Sequence, residues 1–186
     1  VGAGKMGKGL VNQLSRIKGL TSSVVIDEKP EKAMEALISS GVRKSDITTS
    51  DNIKIIENSI KNGMYVVSDD YSIACKLQDI KGVVDATGNP PFGAILAMEA
   101  IENRKHTIML NVECDAVIGP YLFNLAKKKN VIYTGSAGDE PGAIMELADF
   151  ALGAGFKLLA VGKGKNNPLN HYITEDEVRE EAISKG

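Results

Sequence analysis

The chain opens Val1-Gly2-Ala3-Gly4-Lys5-Met6-Gly7, a Gly-x-Gly-x-x-Gly run, and Asp27 follows twenty residues after Gly7 at the end of the apolar stretch Val24-Val25-Ile26. Each position has a mechanical role. Gly2 makes a tight strand-to-helix turn, Gly4 lets backbone approach a pyrophosphate, and Gly7 packs a helix onto the sheet. Lys5 and Met6 fall in the first helical turn, whose N–H groups and dipole favour phosphate. An acid at position 27 is placed to hydrogen-bond an adenosine ribose. The stretch therefore predicts binding of NAD or NADP. Asp27 repels a 2′-phosphate and favours NAD, whereas Lys29 and Lys32 would tolerate NADP.

Working outward, short apolar runs alternate with amphipathic ones, the mark of an α/β fold with a doubly wound parallel sheet. Only Val1 precedes Gly2, so the sequence is expected to begin inside its first strand. Helices are predicted over 5–18, 30–39, 52–62, 70–78, 90–104 and 115–129. Strands are predicted over 23–27, 64–67, 83–86, 106–111 and 131–134, with 40–50 a polar loop. Pro30 and Pro90-Pro91 suit first helical turns. In doubly wound order the strand at 83–86 lies beside the first one, across the switch point where ligands bind. Thr87 and Gly88 should then face the cofactor, with Asn111 at the end of the next strand. Gly88 alone is equally a turn glycine.

Composition excludes several classes. The 186 residues are 43% hydrophobic and 25% charged with net charge −2, so no basic field argues for nucleic acid or an anionic membrane. No apolar run reaches the length of a membrane span. Lys127-Lys128-Lys129 ends a predicted helix, where cations complement the dipole. Cys75 and Cys114 lack metal-type spacing and read as buried thiols in a cytoplasmic protein. No metal site is expected.

Residues 135–142, Gly-Ser-Ala-Gly-Asp-Glu-Pro-Gly, interrupt the pattern before a helix expected at 143–152. Asp139 or Glu140 can cap that helix and Pro141 fill its first turn. A strand is predicted at 156–161, running into Gly162-Lys163-Gly164-Lys165-Asn166, and a charged helix at 175–184. These features divide the chain into a dinucleotide-binding domain (1–135) and a partial substrate domain (136–186), with further sequence expected at both ends.

The motifs Gly2–Gly7, Val84-Asp85-Ala86-Thr87-Gly88-Asn89-Pro90, Asn111-Val112-Glu113-Cys114-Asp115, 138–142 and 162–166 together resemble the homoserine-dehydrogenase family. The likeness is greater to its branch carrying a C-terminal SAF domain. The resemblance implies an NAD(P)-dependent oxidoreductase. One departure is visible: homoserine dehydrogenases place a lysine directly after the asparagine matching Asn111, and here Val112 and Glu113 follow. Lys163 and Lys165 are thus the candidate donors to a substrate oxygen, with Glu113 and Glu140 as further catalytic candidates. Asp115 is equally a helix cap, His106 structural, and His171 a polar-tail residue.

The reading is an enzyme that transfers a hydride to or from the carbonyl or alcohol of a small polar metabolite, as a homo-oligomer. Two alternatives stand beside it. One is an NADP-dependent reductoisomerase of a sugar phosphate, resembling deoxyxylulose-phosphate reductoisomerase. The other is a non-catalytic dinucleotide-sensing domain, which would need only the first 135 residues.

Overall fold

The computed structural model describes residues 1–136, 142–162, 170 and 172–185. The chain divides into two compact units, Val1–Ser136 and Ala137–Gly186.

The first unit is a doubly wound, Rossmann-like α/β fold built on two three-stranded parallel sheets. In chain order its strands are β1 (Val24–Ile26), β2 (Ile47–Thr49), β3 (Tyr65–Ser68), β4 (Gly82–Asp85), β5 (His106–Met109) and β6 (Tyr133–Gly135). The sheets run β1-β3-β2 and β4-β5-β6. Val1 sits between them: its N donates to Val84 O at 2.8 Å and its O accepts from Ala86 N at 2.9 Å. Gly2 N donates to Ile26 O at 2.7 Å. The fingerprint thus lies between the end of β1 and the end of β4, the topological switch point.

Helices cover both faces because successive strand residues point to opposite sides. On one face Val25 and Val67 pack with Val11 of α1 (Lys5–Leu14) and with Ala33, Ala36 and Leu37 of α2 (Pro30–Ser39). On the other, Val66 packs with Ile56 of α3 (Ile53–Lys61) and Ile73 of α4 (Ser72–Lys76). Further along, Val83 meets Leu96 and Ala100 of α5 (Pro90–Glu102), and Met109 meets Leu122 and Ala126 of α6 (Val112–Lys129). A crevice of about 120 Å³ between α1, β1 and β4 is lined by Leu10, Val11, Val24 and Val83. The buried Ser22 hydroxyl beside it has no hydrogen-bond partner among the described residues.

Several boundaries differ from the sequence expectations. Helix α1 stops at Leu14, and the chain then turns through Arg16 N to Gln13 O and Ile17 N to Leu14 O bonds. Residues 40–50 are not wholly loop. The β-branched run Ile47-Thr48-Thr49 finds Tyr65-Val66-Val67 and forms an edge strand in parallel register. Helix α6 begins at Val112 rather than 115, because Asn111 caps it: its Oδ1 accepts from Cys114 N at 3.2 Å.

In the second unit α7 spans Gly142–Gly153 and α8 spans Glu175–Lys185. Thr174 and Glu177 form a reciprocal capping box at the start of α8. The strand expected at 156–161 does not form, and those residues are exposed without regular structure. A strand needs a ladder partner, and the described residues of this unit contain none.

Candidate functional site

The two glycines at the ends of the fingerprint are dictated by crowding. Gly2 has φ +89°, and a Cβ there would lie 2.7 Å from Ala86 C and O. A Cβ on Gly7 would lie 1.8 Å from Gly2 O, so the helix sits directly on the turn. Gly4 is different. Its φ is −66° and a Cβ would meet nothing within 4 Å, so open space rather than protein faces it. It is also the N-cap of α1, whose first-turn N–H groups lack intrahelical acceptors by geometry.

That open space is a cleft of about 400 Å³ at the carboxyl ends of β1, β3 and β4. Gly2, Gly4, Asp27 and Thr87 line it, joined by Lys32 and Asn89. Lys5 and Met6 are exposed on the first turn of α1, whereas Gly7 is buried beneath Gly2. Asp27 is engaged with backbone as well as facing the cleft. Its Oδ2 accepts from Ala3 N at 2.7 Å and its Oδ1 from Lys29 N at 3.0 Å. The acid thereby ties the fingerprint turn to the end of β1. The cleft edge also carries Glu28 and Asp69, so its charge near Lys32 is mixed.

The far side of the cleft is built from Asp85, at the end of β4, which is fully buried. Its Oδ1 accepts from Thr87 N at 2.9 Å and Thr87 Oγ1 at 2.7 Å. Its Oδ2 accepts from Asn111 Nδ2 at 3.0 Å. The second Asn111 N–H goes to Asn89 O at 2.9 Å, so this side chain is spent inside the protein. Asn111 therefore bears on the cleft through Asp85 and Asn89 rather than lining it. Gly88 takes φ +64° in the same loop, and Asn89 caps α5 by accepting from Phe92 N. Tyr71 and Phe92 stack edge to face at 5.0 Å on the cleft wall. No motif of the sequence singles out this aromatic pair, whereas Asp85 has a signal: Val83-Val84-Asp85, like Val25-Ile26-Asp27, is an acid ending an apolar strand.

Glu113 is exposed in the first turn of α6. Asp115 is not the cap of that helix; its Oδ1 accepts from Tyr133 Oη at 2.7 Å, and burial beside this carboxylate pushes the Tyr133 phenol well above its ordinary range. His106 serves the framework, its Nδ1 accepting from Ile132 N. Both cysteines are free and buried, and burial pushes the Cys75 thiol up to about 12, which leaves it unreactive. Lys163, Lys165, Glu140 and His171 lie outside the described residues. Among the described residues no cluster of three metal-ligating side chains occurs, and no helix is long and apolar enough to cross a membrane.

Residues 138–186 match the family described as oxidoreductase DRL, catalytic domain. No curated protein matches the chain. The C-terminal segment is thus similar to an oxidoreductase catalytic domain, which supports an enzyme of the oxidoreductase class and disfavours a purely sensory module.

Proposed function

We propose that the protein is an NAD(P)-dependent oxidoreductase, homoserine dehydrogenase-like, that transfers a hydride to or from the carbonyl or alcohol of a small polar metabolite. One observation carries the dinucleotide part: Gly4 caps a helix N-terminus and faces an open cleft at the switch point, a cradle that a larger side chain would fill. The oxidoreductase part rests on the likeness of residues 138–186.

In this reading the α1 N-terminus and the Gly2–Gly4 backbone would hold the pyrophosphate. Asp27 would accept from a ribose hydroxyl through the lone pairs its backbone bonds leave over. When bound, the nicotinamide supplies or accepts the hydride. The chain's own task is to fix the dinucleotide against the end of β4 and to offer a donor to the substrate oxygen. Lys163 or Lys165 would provide that donor, with Glu113 and Glu140 as the alternatives. Asp27 favours NAD, and Lys32 on the same cleft leaves room for NADP. A cytoplasmic homo-oligomer remains the proposed setting.

Calorimetric titration with NAD, NADH, NADP and NADPH tests this directly. Binding by the wild-type chain, lost in Gly4→Val with the helical signal retained, is the expected result. Equal affinity in wild type and variant would sink the cradle, because a valine side chain would stand in the pyrophosphate's place.

A further inference from the structure

A buried carboxylate is commonly held in an ion pair, and Asp85 is held by hydrogen bonds instead. It is fully buried, and none of the ion pairs among the described residues includes it. Burying such a group is costly unless hydrogen bonds replace its water. Three donors do so here: Thr87 N, Thr87 Oγ1 and Asn111 Nδ2. Each belongs to a segment that matters to the cleft. Thr87 lines it, and Asn111 caps α6 while also holding Asn89 O.

The chemistry requires an aspartate. Oδ1 serves both Thr87 donors and Oδ2 serves Asn111, so two acceptor oxygens are needed. Asparagine at position 85 would keep the Thr87 bonds but turn an NH₂ toward the Asn111 NH₂. Asn111 has no way to adapt. Flipping its amide would aim its oxygen at Asn89 O and lose the acceptor for Cys114 N. Gly93 completes the arrangement, because a Cβ there would lie 2.4 Å from Asp85 Oδ2 and 2.5 Å from Asn111 Nδ2.

We infer that Asp85 is a positioning residue: it clamps Thr87-Gly88-Asn89 to the N-terminus of α6 and so sets the shape of the cleft wall and its affinity for ligand. The affinity half of this statement rests on the dinucleotide reading above; the clamp itself does not.

Reciprocal exchange of the two side chains tests it. Asp85→Asn sets donor against donor, and Asn111→Asp sets carboxylate against carboxylate. Each should weaken dinucleotide affinity by about tenfold or more, the scale of an unsatisfied buried polar group. The double variant Asp85→Asn/Asn111→Asp restores the donor–acceptor pair between positions 85 and 111 but leaves an oxygen against Asn89 O, so its loss should be clearly smaller than the two single losses multiplied, without full recovery. A double variant as weak as the two losses multiplied, or single variants that bind like wild type, would overturn the role in affinity. Amide hydrogen exchange is the second arm and needs no ligand. Asp85→Asn disturbs Asn111 and should speed exchange at Cys114 N, which Asn111 caps, while Val11 and Val67 stay protected; unchanged exchange at Cys114 overturns the clamp. If the wild-type chain binds no dinucleotide, the cofactor reading fails and the exchange arm alone decides. If Asp85→Asn does not fold, Thr87→Val removes one donor at nearly constant volume and is read at the same amides with the same two outcomes.

Discussion

The two walls of the cleft are made on opposite principles. The Gly2–Gly7 wall is shaped by missing side chains: Gly2 and Gly7 touch backbone so closely that a single methyl has nowhere to go. The Asp85–Asn89 wall is shaped by side chains that are present, with Asp85, Thr87, Asn89 and Asn111 joined in one hydrogen-bonded set. Close approach of backbone is rigid and tolerates no substitution. A polar set is rigid only while every member is satisfied. The first wall should therefore fail through sterics and the second through unpaired donors or acceptors.

Four substitutions probe that contrast, taken in order of expected effect. Gly7→Ala drives a methyl into Gly2 O and should lower stability by about 3 kcal/mol or more, at the upper end of overpacking costs. Urea denaturation measures this, and a variant as stable as wild type would show that the two walls do not differ as described. Gly93→Ala meets side-chain ends rather than backbone, so the polar set can shift a little. A cost of roughly 1–3 kcal/mol is expected in the same assay, with faster amide exchange at Thr87. Asp27→Asn replaces one acceptor oxygen with a donor facing either Ala3 N or Lys29 N. About 1–2 kcal/mol should be lost, and a shift smaller than the scatter between replicates would mean the Asp27 latch contributes nothing. Gly4→Ala lies on the first wall but touches nothing. Stability should change by less than about 1 kcal/mol, the scale of a helix N-cap exchange, while calorimetry shows weaker dinucleotide binding. A large stability loss at Gly4 would place it with Gly2 and Gly7 as a packing glycine.

The same contrast explains what could be read from the chain alone. The first wall is legible because its cause is local: glycines at fixed spacing and an acid after the next apolar run. The alternation of strands and helices was legible for the same reason, since each element's period lies within its own residues. The second wall depends on which residues meet after folding. Asp85, Gly93 and Asn111 are adjacent only once β4, α5 and β5 are assembled, and no spacing rule connects them. Ile47–Thr49 is not legible as a strand in the sequence because a strand in a polar stretch is decided by its neighbour Tyr65–Val67. The reverse holds for 156–161, whose apolar run suggests a strand although no partner strand accompanies it among the described residues. Sequence alone cannot fix the start of α6 because Asn111 and Asp115 are both good caps; the phenol of Tyr133 takes Asp115 and leaves Asn111 to the helix.

The position of Val1 and Gly2 has a consequence for the order of assembly. Each three-stranded sheet is made from one continuous piece of chain, 24–68 for the first and 82–135 for the second. Each can close on its own neighbours at modest loop-closure cost. The fingerprint turn, by contrast, bonds to Ile26 and Asp27 on one side and, across a separation of 83 residues, to Val84 on the other. Contacts so distant in sequence are slow to form. The hypothesis that follows is that both sheets are in place before the turn docks, so that the ligand cleft is the last part of the first unit to mature. Pulse-labelled hydrogen exchange during refolding should find Val67 and Met109 protected before Ala3, and simultaneous protection of all three would refute that sequence of events.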